Sequence, residues 1–474
     1  MRLFFYPHAF PITTRRHNVR KQQLQPVALA ALCAAGLLDS AHATNGMNME
    51  GYGPIATGMG GAATAYDNGT AAMANNPATL QLAPEGHRFD GAVGVLGPDV
   101  TATMQMPGAV TDKSKGTSYV MPAIGWTKTD ARMTWGVGVF AQGGMGTEYG
   151  SDSMLAMGSD GQAMRSELGV GRVILPLSYR VNDRLTLGAS LDYVWASLDM
   201  AMATSTQRLG GMVTGGTLAG QVPGMMGMNG GATAGRIAFS DTSDFTGAAS
   251  STGWGSKVGL TYALSDAVRF GASYHAKTQL SDMETGATAA SFSMNNGVSD
   301  AGKITVRNFQ WPATTALGVH WQATPKLSIA ADVKHIAWAD VMKNFKMTYT
   351  SGQMAPGATL DFALPQNWKD QTVTMLGMAY QVTDKTAVRA GVNLASNPVP
   401  ADLVHPLFPA IVKNHYTFGL GHQMSDQSSI NVSMTVAPKV TVVNNSGPSL
   451  PSYEPAMTVT HSQTNFQLMY SYRY

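Results

Sequence analysis

RLTLGASLDYVWAS, Arg184 to Ser197, alternates with a period of two. Leu185, Leu187, Ala189, Leu191, Tyr193 and Trp195 share one face; Arg184, Thr186, Gly188, Ser190 and Asp192 share the other. That period belongs to a β-strand with one apolar and one polar surface, not to a helix. The pattern returns at Lys326 to Lys334, Val268 to Lys277 and Ser429 to Val436. Runs of this length exceed the ~5–6 residues usual for strands in soluble proteins. Trp126, Trp135, Tyr179, Trp195, Trp321 and Trp338 fall near the ends of such runs, where a transmembrane barrel carries its aromatic girdles.

The connections between runs are of two kinds. Short ones stand at Val181–Arg184, Leu264–Asp266, Ala323–Pro325, Val382–Lys385 and Met424–Gln427, rich in Asn, Asp, Ser and Pro, which favour turns. Long ones span about Gly143–Met164, Ala201–Ser251, Ser281–Phe309, Thr348–Asn367, Ala395–Ala410 and Thr441–Met457. Tight turns on one side and long loops on the other describe an outer-membrane barrel. The runs predict an all-β, transmembrane antiparallel β-barrel of about fourteen strands over residues 86–474. The final NFQLMYSYRY puts Phe466, Leu468, Tyr470, Tyr472 and Tyr474 on one face. An aromatic last residue on an alternating last strand suits insertion by the barrel-assembly machinery. As the edge of a soluble sheet, the same strand would be an aggregation hazard.

Composition agrees. Charged residues make up 13% of the 474, about half the usual share. A net charge of +2 gives no reason to expect a nucleic-acid partner. The basic residues Arg15, Arg16, Arg20 and Lys21, the apolar run Val27–Leu38 and Ala41-His42-Ala43 read as a signal peptide over residues 1–43. The single cysteine, Cys33, falls inside it.

Chemical motifs are weak. Gly51–Ala56 matches G-x-G-x-x-A, but no buried strand precedes it and Pro54 interrupts it. None of the eleven histidines has metal-ligand spacing, and no G-x-S-x-G is present. No enzyme, cofactor or metal is expected. On the polar faces, Arg269, His275, Lys277, Asp332, Lys334 and Arg389 project inward. They read either as an ordinary mixed-charge lumen or as a ligand site in which a basic group meets an anionic head group. The loop Ala201–Ser251 carries Met202, Met212, Met225, Met226 and Met228, either a weakly packed loop or an adaptable surface for apolar molecules.

The stretch ATNGMNMEGYGPIATGMGGAATAYDNGTAAMANNPATL, Ala43 to Leu80, resembles the FadL/TodX family of outer-membrane transporters for hydrophobic compounds. The resemblance rests on Gly58-Met59-Gly60-Gly61-Ala62, the Asp67 region and Asn76-Pro77-Ala78. It continues at Gly253-Trp254-Gly255, Tyr262, Leu264-Ser265-Asp266, Gly271 and Ala395–Pro400. It implies a partly helical N-terminal hatch over residues 44–85, plugging the lumen, with Gly60, Gly61, Asn76, Pro77 and Ala78 as gate residues. A short helical piece is expected at Ala71–Asn75, ended by Pro77. The resemblance also implies passive diffusion of long-chain fatty acids or aromatic hydrocarbons. It implies lateral release into outer-membrane lipid through a kink in an early strand. The kink candidates are Gly136, Gly138, Gly143 and Gly144. The implied location is the outer membrane of a Gram-negative cell. A general porin for hydrophilic solutes and a surface adhesin are the competing readings.

Overall fold

The computed structural model describes residues 45–105, 108–156, 162–243, 246–445 and 456–474. The signal peptide read over residues 1–43 lies outside them, as do Cys33 and Thr44. Long alternating runs become long strands: β1 (Gly86–Met104), β2 (Tyr119–Thr129), β3 (Met133–Tyr149), β4 (Met164–Arg180), β5 (Leu185–Ser205), β6 (Ala249–Ala263) and β7 (Val268–His275). There follow β8 (Thr314–Thr324), β9 (Leu327–Ile336), β10 (Gln371–Thr383), β11 (Thr386–Ala395), β12 (His415–Gln423), β13 (Ser428–Asn444) and β14 (Met457–Arg473). Each pairs antiparallel with the next, as at Gly188↔Gly259 between β5 and β6 and Gly271↔Gly318 between β7 and β8. β14 returns to β1 from Arg88↔Arg473 to Met104↔Met457, so the sheet closes and leaves no edge.

The strand total differs from the expected fourteen or so: twenty-three strands occur among the described residues. The nine outside the β1–β14 circuit lie in the long connections. Among them, Ala234–Phe239 pairs with β5 and with Ala290–Met294, and Asn344–Ser351 pairs with Thr359–Pro365. Short segments rich in Gly, Ser and Met carry too little alternation to announce themselves. Their apolar side chains form a core with the upper wall, including Phe239, Phe292, Tyr349 and Phe362. Met202 and Met212 are buried in that core, so this part of the methionine-rich loop is packed interior, while Met228 is exposed.

The wall is inverted relative to a soluble protein. Leu175, Leu177, Leu187, Leu191, Phe270, Phe418 and Leu468 are exposed on its outer face, whereas Asp192, Lys257, Asp332, Asn393 and Gln467 are buried on its inner one. Such a continuous apolar exterior fits lipid, not water. At the short-turn end Trp126 meets Trp135 edge-on at 5.1 Å and His87 stacks on Tyr474 at 4.9 Å. Trp338 is a correction. It is fully buried, in the helical turn Trp338–Val341, and sits edge-on to Trp311 (5.8 Å) and Trp368 (5.1 Å).

Candidate functional site: the enclosed N-terminal segment and a window in the wall

Residues 45–82 are almost entirely buried, yet few are large. The barrel supplies their surroundings. A helical turn at Pro54–Thr57 leads to Gly60 and Gly61, both at positive φ (69° and 86°). These turn the chain back on itself, a geometry that glycine adopts without strain. Two tight turns follow, Gly69–Met73 and Pro77–Leu82. The expected helical piece therefore begins and ends about two residues earlier than Ala71–Asn75. Pro77 opens the second turn rather than merely ending the first. Asn76 is extended, as a residue before proline prefers, and its Oδ1 accepts from Ala78 N (3.1 Å) as an N-cap.

Contact with the wall is close because the wall offers glycines there. A Cβ at Gly377 or Gly391, partners across β10 and β11, would strike Met59 or Gly60 backbone. One at Gly188 would strike the Pro77–Ala78 peptide, and one at Gly259 the Asn76 side chain. Polar side chains complete the hold. Asp332 accepts from Ala63 N (2.7 Å), Thr64 N (3.0 Å) and Thr64 Oγ1 (2.8 Å). Asn76 Nδ2 donates to Thr64 O (2.7 Å) and to Leu260 O of β6 (3.1 Å). Asp90 accepts from Thr70 N (2.7 Å) and is paired with Arg88, which also reaches Asp67. Burial pushes the Tyr52 and Tyr66 hydroxyls above the ordinary phenol range, so both stay protonated; Tyr66 donates to Ala62 O (2.6 Å).

This geometry redirects the lumen candidates. His275 Nε2 donates to Asn75 O (2.8 Å), and Asp332 holds the Ala63–Thr64 turn. With Lys334 they border a space of only about 30 Å³ beside Tyr52 and Asn75, room for about one water. Arg389 donates to Asn431 Oδ1 (3.1 Å) below Gly58. Arg269 is half-buried near a short turn, and Lys277 is exposed just past the end of β7. None of the six lines the cavity of about 270 Å³ described next. A buried cluster that the sequence did not single out lies on the adjoining wall: Asp192 pairs with Lys257 and with Arg172 (2.9 Å) and accepts from Ser190 Oγ (2.7 Å). Asp192 stood on the polar face of the decisive stretch, but its partners come from neighbouring strands. Among the described residues, no three His, Cys, Asp or Glu side chains gather as a metal site.

A ligand-sized cavity lies higher, where the ladder opens. β2 and β3 pair from Thr129↔Thr134 up to Ala123↔Phe140 and no further. β2 continues with β1 to Tyr119, and β3 with β4 to Tyr149. Above the gap, Lys115 N donates to Glu148 O (2.6 Å) and Glu148 N to Ser114 Oγ (3.0 Å). The result is a window framed above and below. At its level β3 shifts register between Ala141 and Gly143. Gly143, at φ 153°, bridges to Asn48, and Gly144 N donates to Met47 O (3.1 Å). A side chain at Gly143 would strike Met47 O. Gly136 and Gly138 lie in regular register with β2. The cavity at the window has a volume of about 270 Å³ and is bordered by Leu96, Met121, Leu168 and Trp195. It is also bordered by His461 on the inner face, and by Val120 and Val139, which are 44% and 37% exposed on the outer one.

Comparison with known proteins places this architecture. Toluene transporter TodX of P. putida is similar, at 32% identity over 90% of this chain and 99% of that one, with a TM-score of 0.78. Toluene transporter TbuX of Ralstonia pickettii is also 32% identical, over 90% and 99%, with a TM-score of 0.73. A FadL homologue of Pseudomonas aeruginosa, 16% identical over 90% and 99%, shares the fold at a TM-score of 0.70. An uncharacterized Chlorobium limicola protein is 43% identical over 100 residues, 21% of this chain and 46% of its own length. Residues 31–474 match the family described as outer membrane protein transport protein (OMPP1/FadL/TodX), and the chain belongs to that family of outer-membrane channels.

Proposed function

We propose that this chain carries small hydrophobic compounds, monoaromatic hydrocarbons above all, across the outer membrane by passive diffusion. In this reading residues 44–85 act as a hatch that closes the lumen, with Gly60, Gly61, Asn76, Pro77 and Ala78 setting how firmly it holds. The compound passes from the outer loops into the cavity and leaves sideways through the β2–β3 window into lipid. The carrying observation is one cavity bordered both by inner-face His461 and by lipid-facing Val120 and Val139. A molecule that partitions out of water gains nothing from an open aqueous pore. A closed lumen with a side window keeps it out of bulk water along the whole route, and downhill release needs no energy coupling.

The size of the cavity favours a single ring over a long chain. At about 270 Å³ it falls below the ~300–1,000 Å³ usual for sites of drug-sized ligands. The toluene transporters among its relatives point the same way. The test is uptake of radiolabelled toluene and dodecanoate at limiting concentration by cells with and without the gene. Toluene uptake is expected to fall on deletion and to return with the intact gene. Equal uptake of both compounds by the two strains overturns the proposal.

A further inference from the structure

The two edges of the window overlap rather than abut. On β2, Val120, Pro122 and Ile124 are exposed on the outer face, so Tyr119, Met121 and Ala123 face inward. On β4, Leu175 and Leu177 are exposed, and Gly171, Gly169 and Glu167 continue the same outward row. Gly146 of β3 pairs with Glu167, so a side chain at Gly146 would also point outward. That side chain would strike the ring and hydroxyl of Tyr119. An inward-facing residue of β2 therefore rests on the outward face of β3. β3 dips toward the lumen here, where Gly143 bridges to Asn48, and β2 lies over it.

The sequence explains the arrangement. Pro122 brings no N–H to a ladder, and the β3 stretch Gly143-Gly144-Met145-Gly146 offers few side chains. An aromatic ring can lie directly on such a backbone. A Cβ at Gly116 would also strike the Tyr119 hydroxyl, so a second glycine makes room for it. Tyr119, Gly144, Gly146 and Gly169 all border the window cavity. The frame is tied below by the Ala123↔Phe140 pairing and above by Lys115 N to Glu148 O. Between these fixed ends the Tyr119 ring reaches from one edge of the gap to the other. A side chain changes rotamer far faster than a paired strand moves.

We infer that Tyr119 sets the size limit of the lateral opening, admitting one aromatic ring and excluding two fused ones. The inference rests on the channel reading above and names the residue behind its selectivity. With the phenol in place the cavity measures about 270 Å³. A fused second ring needs the space that the phenol occupies.

The test is uptake of radiolabelled toluene and naphthalene by a strain lacking the native gene. The strain is complemented with the wild type, Tyr119→Ala, Tyr119→Leu or Tyr119→Phe and read against uncomplemented cells. Gel mobility with and without boiling checks that each barrel is folded and present at equal level. Tyr119→Ala is expected to raise channel-dependent naphthalene uptake several-fold, with toluene uptake no lower than wild type. Tyr119→Leu, also smaller than the ring, should move the same way and carries the test if the alanine variant does not fold. Tyr119→Phe keeps the ring and should keep the wild-type ratio of naphthalene to toluene. An unchanged ratio in the folded alanine or leucine variant overturns the inference. So does a rise in Tyr119→Phe as large as that in Tyr119→Ala, which would assign the limit to the hydroxyl. Raised conductance of Tyr119→Ala in planar bilayers overturns it as well, because an opening to lipid adds no aqueous pore. Toluene uptake by the wild type no greater than by uncomplemented cells instead contradicts the channel reading itself.

Discussion

Asn76→Ala removes a side chain that makes three hydrogen bonds at once. Its Oδ1 caps Ala78 N, and its Nδ2 donates to Thr64 O within the segment and to Leu260 O in the wall. An N-cap of this type contributes about 1 kcal/mol. Each of the two donations contributes about 1 kcal/mol net. The expected loss is about 3 kcal/mol, confined to the N-terminal segment, because the β1–β14 ladder does not depend on this side chain. About 3 kcal/mol raises the population of the detached segment roughly a hundredfold. The assay is amide hydrogen exchange followed by mass spectrometry on the folded, detergent-solubilised protein. Peptides covering residues 58–80 should exchange roughly a hundredfold faster, and peptides from β10 to β13 should be unchanged. Unaltered exchange at 58–80, or equal acceleration in the strands, refutes the reasoning that Asn76 pins the segment to the wall.

Gly377→Leu places a side chain on the Met59 carbonyl. Overpacking of this kind costs about 1–3 kcal/mol, and it should raise single-channel conductance in planar bilayers without preventing assembly. Asp192→Ala leaves Lys257 and Arg172 buried without their counter-charge. Removing one partner of a buried ion pair costs about 3–5 kcal/mol, so the yield of heat-modifiable barrel should drop, with Asp192→Asn less affected. Pro77→Ala frees Asn76 from its extended conformation and is expected to alter toluene uptake while the barrel still assembles; wild-type uptake by both Pro77→Ala and Asn76→Ala argues against a gating role for this turn.

Alternation made the wall legible. RLTLGASLDYVWAS reads as a strand because its apolar face meets lipid and its polar face meets the lumen, and β5 covers all of it but Arg184. The tight turns were legible through Asn, Asp, Ser and Pro. The loop strands were not. Segments such as Ala234–Phe239 are too short to show a period, and their pairing depends on partners some fifty residues away. Periodicity gives no height in the barrel. It could not say that Asp332 and His275 meet the N-terminal segment rather than a ligand, nor that Lys277 lies beyond its strand. The window had one local signal, Gly143-Gly144; the loss of pairing above Ala123↔Phe140 is a property of two strands together. His461 escaped notice because one histidine on an alternating strand looks like any other lumen residue.

Gly169 borders the window cavity, and a Cβ there meets only Ser197 Oγ at 3.7 Å, an ordinary contact. Gly169→Phe therefore fills the cavity without displacing the backbone. Toluene uptake by a strain lacking the native gene, complemented either with the wild type or with this variant, tests most directly whether the compound passes through that space. The account predicts that the wild type restores uptake and that Gly169→Phe, present as folded barrel at equal level, restores little. Full restoration by Gly169→Phe would contradict it.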